Sequence, residues 1–351
     1  MKELLILGTI ILVFVVIFQI AKASEYVSVL KGEDVTRKQT NKINGFMLIS
    51  FLILGLIGVY VCNHWFYGKT LLHQGSASKE GEVIDFMFFL TTAVTGIVFF
   101  ITQILLFWFA FKYQEDRGKK ATFFAHSTKL EAIWTSIPAI VLLVLVTYGI
   151  INWFKFTGPP PDGAMVVEIT GHQFAWEMRY PGKDGILGKK IYTNYNKPSG
   201  NTLGVDFNDV NSLDDLHTQQ MHLVVNKPVK LVIGAQDVIH DVGLNHFRMK
   251  MDAVPGIPTT LWFTPQYTTE DMKVRTGNQN FVYEISCDQM CGPKHFSMRG
   301  VIVVETQAEY DKWIASQKPE YFTLFPDKAP PTMAVTDTTG KTKLTAALIK
   351  K

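Results

Sequence analysis

The first half of the chain is dominated by four uncharged apolar runs, and the second half is not. The runs are Leu4–Ala21, Phe46–Cys62, Phe86–Phe111 and Ile133–Ile151. A membrane-spanning helix needs about 20 apolar residues, so the first two runs lie near the lower limit and the third exceeds it. The pattern therefore predicts four transmembrane helices.

The charges between these runs predict their orientation. Residues 22–45 and 112–132 each contain five Lys/Arg, whereas residues 63–85 contain two. Because cytoplasmic connections are enriched in Lys/Arg, the first and third connections are predicted to be cytoplasmic and both termini external. An alternative is a secretory signal cleaved after Ala21-Lys22-Ala23. Cleavage would place the 22–45 loop outside and the C-terminal domain in the cytoplasm, so the charges favour a retained helix.

After a stiff link at Gly158–Gly163, the polar and apolar positions follow a strand pattern. Short stretches rich in β-branched and aromatic residues are bounded by Gly, Pro and Asn, which predicts an antiparallel β-sandwich. A long polar loop at 181–219 should lie at the surface, and the chain loses periodicity from about Ser316. The predicted strands are Met165–Thr170, Gln173–Tyr180, Met221–Val225, Val229–Ala235, Thr260–Thr264, Asn280–Ile285 and Gly300–Glu305.

The most informative stretch for chemistry is Cys287–Met298, which reads C-D-Q-M-C-G-P-K-H-F-S-M. Thiolate, thioether and imidazole together favour copper, and the C-x3-C spacing differs from the C-x2-C of structural zinc sites. Zinc bound by two cysteines and two histidines remains the rival interpretation. Each of these residues alone could also be ordinary core, since cysteine and methionine are often buried.

This stretch resembles the copper loop of subunit II of haem–copper cytochrome c oxidases, which holds the binuclear CuA centre. The upstream sequence D-V-I-H, ending at His240, and M-D-A-V-P-G at 251–256 resemble the same family. The resemblance implies a cupredoxin fold with two bridging thiolates, two capping histidines, a weakly bound thioether and one backbone carbonyl as copper ligands. These ligands would be His240, Cys287, Gln289 through its carbonyl, Cys291, His295 and Met298.

A second resemblance covers the last two membrane runs. The sequence E-A-I-W-T-S-I-P-A from Glu131 is similar to the start of the second helix of subunit II, where a glutamate lies at a proton pathway into subunit I. The alternative role for Glu131 is to complement the positive end of the helix dipole. The resemblance gives four segments: two additional helices at 1–70, the family's transmembrane hairpin at 71–157, an external CuA domain at 158–315 and a tail at 316–351.

Two positions depart from the family pattern. In G-H-Q-F-A-W, the family's first tryptophan is Phe174, while Trp176 keeps the second; these aromatic residues are implied to receive electrons from a donor docked nearby. Packing of a strand face on the sandwich is the alternative for at least one of them. Gln289 replaces a glutamate whose carboxylate helps bind magnesium in the family, so a magnesium site should be weakened, changed or absent.

Composition and charge narrow the function. The net charge of +3 and the lack of a Lys/Arg block argue against nucleic acid binding. Three cysteines make no disulfide framework, no C-x-x-C-H is present for haem c, and the four apolar runs contain no histidine to ligate haem. The haems and the copper CuB are therefore expected in a partner subunit.

The resulting hypothesis is the electron-input subunit of a respiratory cytochrome c oxidase in a bacterial inner membrane, with its copper domain on the periplasmic side. Its partners would be subunit I, subunit III and a c-type cytochrome, free or in a neighbouring complex, docked near Trp176. Asp237 could steer a basic cytochrome, and other acidic residues could add to this or merely be solvated: Asp206, Asp209, Asp214 and Asp215. Rival classes are a quinol oxidase subunit II, which lacks the copper ligands, a membrane-tethered copper carrier, and nitrous oxide reductase, which needs a much longer chain.

Overall fold

Four long helices form the first half of the chain in the computed structural model, which describes residues 2–115, 120 and 122–328. All four are long and apolar enough to cross a membrane, which confirms the predicted number. A short helix, α3, lies between the second and the third of them. The helices are α1 (Lys2–Lys31), α2 (Glu33–Phe66), α3 (Leu71–Gln74), α4 (Lys79–Lys112) and α5 (Thr128–Thr157).

Helix α2 contacts the last turns of α4 through its first half. The rings of Phe46 and Phe111 meet edge to face with centroids 5.2 Å apart. The backbone of α2 comes close to the side chain of Gln114 at Gly45, where a Cβ would overlap the side-chain amide. Arg37 adds an ion-pair contact of 3.8 Å with Glu115. Helix α2 is therefore packed against the end of α4 and the residues that follow it.

The second half forms a sandwich of two five-stranded sheets, ordered β3-β2-β1-β5-β8 and β4-β10-β9-β6-β7. Inward-facing residues alternate along the strands, as in Val167 and Ile169 of the first strand, and both are fully buried. The strands are β1 (Met165–His172), β2 (Ala175–Tyr180), β3 (Leu216–Thr218), β4 (Gln220–Val224), β5 (Val229–Ala235), β6 (His240–Leu244), β7 (Met249–Ala253), β8 (Thr259–Phe263), β9 (Tyr283–Cys287) and β10 (Arg299–Glu305).

The strand arrangement differs from the purely antiparallel sandwich that the sequence predicts. Strands β1 and β5 pair in parallel, and so do β4 and β10. Three strands that the sequence did not predict, β3, β6 and β7, are also present. A pattern of alternation identifies a half-buried strand but carries no information about the direction of its neighbour, because the same residues suit either ladder.

Residues in the first turn of α4 and at the end of α5 pack directly on the sandwich, and they belong to the same compact unit, Gln74–Met87 with Thr147–Lys351. Glu80 Oε2 accepts a hydrogen bond from the backbone N–H of Thr264 (2.7 Å). Trp262 Nε1 donates to the carbonyl of Lys155 (2.8 Å). Each end of the hairpin is thus fixed to the sandwich by a hydrogen bond.

The loop 181–219 covers a buried layer of charge on the outer face of the first sheet. Arg179 donates to Glu168 and to Asp215, each at 2.7 Å, and Lys190 lies 3.0 Å from Glu168. Burial raises the pKa of Asp215 to about 6 although Arg179 opposes this. The loop lies at the surface, as predicted, but its inner side seals an ion-pair network.

The chain beyond β10 continues as two helices, of which the second lies within the predicted tail at 316–351. Helix α6 (Thr269–Thr276) precedes β9, whereas α7 (Gln307–Ser316) and α8 (Glu320–Leu324) follow the last strand. Tyr310 of α7 is buried, and Glu320 of α8 is 5% exposed. The proline-containing segment predicted to be extended, 328–331, falls almost entirely outside the described residues.

Candidate metal centre

Two neighbouring strands and one loop bring the predicted copper ligands together. His240 is the first residue of β6 and Cys287 the last of β9, and these strands pair with Val242 opposite Cys287. The loop from 288 to 298 then turns back into β10. Because β9 and β10 are adjacent, Cys291 and Met298 return to the end of β9 where Cys287 lies.

The donor atoms form one cluster. Sγ of Cys287 lies 3.7 Å from Sγ of Cys291 and 3.8 Å from Nδ1 of His240. Sγ of Cys291 lies 3.5 Å from Nδ1 of His295 and 3.8 Å from Sδ of Met298. The carbonyl oxygen of Gln289 is 3.2 Å from Sγ of Cys287. The six groups that the sequence singled out, two of which are these thiols, thus form one cluster.

The cluster is closed to solvent on most sides. His240, Cys287, Cys291 and Met298 are buried, and His295 is half-buried. Burial, together with the neighbouring Cys287 thiol, raises the pKa of Cys291 to about 11. A metal that binds here must therefore displace thiol protons.

The donor set fits copper. Sulfur atoms 3.7 Å apart are too distant for a disulfide but can both reach one metal ion at about 2.3 Å. Two thiols, a thioether and imidazoles are soft or intermediate ligands, which suits copper. Within the described part of the chain, His240, Cys287 and Cys291 are the only group of three or more His, Cys, Asp or Glu residues whose ligand atoms lie close enough to hold an ion.

Asp237 orients His240 from outside the cluster. One carboxylate oxygen lies 2.8 Å from Nε2 of His240, and the other accepts the backbone N–H of Gln173 at 2.7 Å. This contact directs Nδ1 of the ring towards Cys287. The sequence predicts a role for Asp237 in donor steering only, although the D-x-x-H spacing is a signal for this contact.

The two predicted electron-receiving aromatics occupy different environments. Trp176 is 3% exposed and packs edge to face on the ring of His240, with centroids 5.9 Å apart. Phe174 is half-buried beside Gly292 of the copper loop, where a Cβ would come within 3.0 Å of its ring. Phe174 is thus accessible at the surface, whereas Trp176 lies in the core.

Gly171 explains how the tryptophan reaches the histidine. A Cβ at this position would lie 2.8 Å from the Trp176 ring and 3.1 Å from the His240 ring. Only glycine allows both rings to contact the end of β1. The start of the G-H-Q-F-A-W stretch is therefore required by packing under the metal cluster.

Comparisons with known proteins agree with this geometry. A profile of the cytochrome C oxidase subunit II transmembrane domain matches residues 66–150, and a profile of the periplasmic domain of the same subunit matches residues 165–306. This chain belongs to the cytochrome c oxidase subunit II family. The matched region begins at residue 66, so α1 and nearly all of α2 precede the family core.

Individual relatives of this subunit II cover most of its length. The alternative cytochrome c oxidase subunit 2 of Bradyrhizobium diazoefficiens is 29% identical over 275 residues, which is 78% of this chain and 91% of the relative. Cytochrome c oxidase subunit 2 of Synechocystis sp. is 25% identical over 287 residues, which is 76% of this chain and 82% of the relative. The subunit II is accordingly a component of an oxidoreductase complex.

Among solved structures, the periplasmic domain of subunit II of the cytochrome oxidase of Bradyrhizobium japonicum is similar to part of the chain. It is 25% identical, covers 44% of this chain and 94% of that domain, and gives a TM-score of 0.30. The family assignment, with the apolar helices, makes this subunit II a membrane protein with an external, cupredoxin-like copper domain.

In the copper loop, Gln289 stands at the position where the resemblance implies a glutamate. The Gln289 side chain is exposed, while its carbonyl faces Cys287. The neighbouring Asp288 side chain accepts a hydrogen bond from Ser286 (2.8 Å) and is packed beside Gly243. The backbone carbonyl at 289 is thus directed to the cluster, and the altered magnesium site remains a prediction.

Glu131 lies in the first turn of α5, in the compact unit that contains α1 and α2 and not in the unit of the sandwich. Its carboxylate accepts the backbone N–H of Ser127 (3.3 Å), and the Ser127 hydroxyl accepts the N–H of Leu130 (3.4 Å). These contacts satisfy free amides at the helix start. The helix-end role weighed for Glu131 is present in the structure, and its role in proton uptake stays a prediction.

Proposed function

We propose that this subunit receives electrons from a c-type cytochrome and passes them through a binuclear CuA centre to haem in subunit I, where oxygen is reduced and protons are pumped. The observation that carries the proposal is the convergence of four further donor groups on two thiols 3.7 Å apart. The binding residues would be His240, Cys287, the Gln289 carbonyl, Cys291, His295 and Met298.

The protein's contribution is to hold these donors in a fixed arrangement. Cys287 and His240 lie at the ends of paired strands, and Asp237 prevents rotation of the imidazole. When bound, two copper ions held by the thiolates of Cys287 and Cys291 would supply one-electron transfer, which suits electron relay. Because protein groups supply the donors from every side, no position is reserved for a substrate, in contrast to catalytic metal sites.

Electron input is proposed at Phe174. Its ring is accessible and lies against the copper loop at Gly292, one residue from Cys291. Trp176 packs on the ring of His240 and so contacts a ligand of the cluster from within the core. Phenylalanine at the first position keeps a flat surface for a donor but has no N–H to offer it.

Further partners follow from what this chain lacks. Its four apolar runs contain no histidine, so the haems and CuB are proposed to reside in subunit I, with subunit III as an additional neighbour. The Lys/Arg distribution between the helices supports placement in a bacterial inner membrane with the copper domain in the periplasm.

Replacing one bridging thiol tests the proposal in the assembled oxidase. Cys291→Ser should abolish the rapid reduction of haem by a c-type cytochrome, because one sulfur is lost from the centre, while oxygen still reoxidises haem that was reduced chemically. Stopped-flow absorbance measures both steps. Cys62→Ser is the matched control, since Cys62 is the one cysteine outside the cluster, and it should leave both rates unchanged. Normal cytochrome oxidation by Cys291→Ser would contradict the proposal.

A further inference from the structure

A group of exposed aromatic side chains lies at the C-terminal end of α2. The uncharged run of this helix ends at Cys62, and Trp65, Phe66 and Tyr67 follow soon after it. These three side chains are 64%, 53% and 38% exposed. Aromatic residues concentrate where a bilayer meets water, because the ring enters the apolar boundary while an indole N–H or a phenol O–H stays hydrated. We call Trp65–Tyr67 the aromatic collar.

A tight turn brings a positive charge back to the aromatic collar. The backbone N–H of Thr70 donates to the carbonyl of Tyr67 (3.0 Å), and the Thr70 hydroxyl donates to the same oxygen (2.7 Å). Lys69 lies within this turn, with Nζ 5.3 Å from the centroid of the Phe66 ring. Because the face of an aromatic ring attracts a cation, the ammonium group is held beside the collar.

No carboxylate of the neighbouring chain neutralises this ammonium group. Residues 35–79 contain no Asp or Glu. Lys69 is exposed and has no carboxylate within 4 Å among the described residues. The next acidic residues along the chain are Glu80, which is buried and hydrogen-bonded to the sandwich, and Glu82, and both belong to the other compact unit. The remaining titratable side chains near the collar are neutral or basic: Tyr60, Cys62, His64 and His73.

The collar lies where α2 leaves the membrane on the external side. The stretch that is long and apolar enough to span a bilayer runs from Glu33 to Lys69, so the ammonium group marks its end. The chain then reaches the sandwich at Ala77, whose N–H donates to the carbonyl of His246 (2.8 Å). At this depth the surroundings of an exposed side chain are phospholipid headgroups.

We infer that the aromatic collar and Lys69 bind the headgroup of an anionic phospholipid in the external leaflet, with a phosphate oxygen at the ammonium group and the acyl chains along the exposed rings. Opposite charge favours an anionic over a zwitterionic headgroup, whose own ammonium compensates its phosphate. A free phosphate ion could meet the same lysine, but it would contact none of the rings. The lipid therefore accounts for both the uncompensated cation and the exposed aromatic surface.

Photolabelling of the assembled oxidase in vesicles tests this inference. The vesicles consist of phosphatidylcholine with a small, equal fraction of either phosphatidylglycerol or phosphatidylcholine that carries a photoreactive acyl chain. Mass spectrometry then measures the label on the peptide that contains Trp65. Phosphatidylglycerol should label this peptide about fivefold more than phosphatidylcholine, and added salt should reduce the ratio. Inorganic phosphate at the same ionic strength as the salt should have no additional effect.

Substitutions separate the charge from the rings. Lys69→Gln should make the two lipids label equally, whereas Lys69→Arg should keep the preference. Phe66→Leu keeps an apolar side chain but loses the ring that holds the ammonium group, so it should lower the ratio in part. Lys112→Gln is the matched control, because Lys112 also lies on an aromatic ring, that of Tyr113, but at the opposite end of α4. It should leave the ratio at the Trp65 peptide unchanged.

The copper spectrum and the rate of electron input should equal those of the wild type in all four variants, since none of them touches the metal cluster. Equal labelling of the wild type by the two lipids would overturn the inference. Absence of label from both lipids would also overturn it, because the collar would then be covered by a protein neighbour. An unchanged preference in Lys69→Gln would exclude the lysine as the group that selects the headgroup and would equally contradict the inference.

Discussion

At the scale of single residues, the metal cluster depends on a carboxylate that binds no metal. Asp237 contacts Nε2 of His240 at 2.8 Å and the backbone N–H of Gln173 at 2.7 Å, so it joins the histidine to the turn after β1. This contact sets the orientation of the imidazole, so that Nδ1 of His240 faces Sγ of Cys287. A histidine whose outer nitrogen is held in this way loses little freedom when a metal binds.

Asp237→Asn should therefore weaken copper binding by about ten- to a hundredfold without removing the copper spectrum, since the ligands themselves remain. Competition with a chelator of known affinity measures the change. Asp184→Asn, in the remote loop, serves as the control. Equal affinities in the Asp237 variant and the wild type would show that the carboxylate does not position the ligand.

The metal ligands could be predicted from the sequence more readily than the residues that surround them. The four donors from Cys287 to Met298 lie within one loop, so their spacing alone predicted a shared site. His240 needed the family resemblance, because strand pairing brings it to the loop across 47 positions of the chain. The burial of Trp176 follows from its inward position on β2, where it alternates with Met178, and the donor docking predicted near it stays a prediction.

At the scale of elements, the strands that hold the site were partly hidden in the sequence. Strand β6 carries Asp241 and Gly243, and β7 alternates methionine with charge, so neither has the β-branched pattern that identified β5. Their neighbours in the sheet stabilise them, as cross-strand packing can override propensity. The ladder between β6 and β9 was therefore found only in the structure.

A histidine clamp connects β3 to α8. His217 lies 3.2 Å from a carboxylate oxygen of Glu177 and 3.3 Å from one of Glu320, at ion-pair distances. Burial disfavours the charged imidazole, but the two carboxylates outweigh it and raise the pKa of His217 to about 9. The protonated ring thus holds α8 on the domain.

This clamp predicts a pH dependence of stability. The ordinary pKa of 6.5 is raised in the folded state, so the stabilisation is fully present below about pH 6.5 and is lost as the pH rises through about 9. The melting temperature of the detergent-solubilised chain should fall over this window. The fall should be smaller in His217→Gln and unchanged in the exposed control His73→Gln. An identical pH profile for His217→Gln would refute the clamp.

A substitution in the first turn of α5 can separate two roles of Glu131, helix capping and proton uptake. Glu131→Gln keeps an oxygen that can accept the Ser127 N–H, but it cannot carry a proton. If the carboxylate takes part in proton uptake, steady-state oxygen reduction should slow while reduction of copper by cytochrome keeps its rate. Glu115→Gln, on the segment following α4, is the control. If Glu131→Gln reduces oxygen at the wild-type rate, helix capping is the only role that remains for Glu131.

At the scale of the whole molecule, the chain combines a family core with an N-terminal addition. The division into an apolar half and a strand-rich half was evident from the sequence, because bilayer and water select different residue patterns. The parallel strand pairs and the buried charge under the loop 181–219 were not evident from the sequence. Both depend on partners that are distant in the chain, as in the contact between Arg179 and Asp215. No feature of the family explains α1 and α2, although α2 packs on α4.

The most direct test of the account is the metal content and electron paramagnetic resonance spectrum of the purified full-length subunit loaded with copper. The account predicts a purple protein with two coppers per chain and one unpaired electron shared equally between them, a signal that Cys291→Ser loses. A colourless protein that retains a single zinc ion, bound by the same cysteines and histidines, would contradict the account.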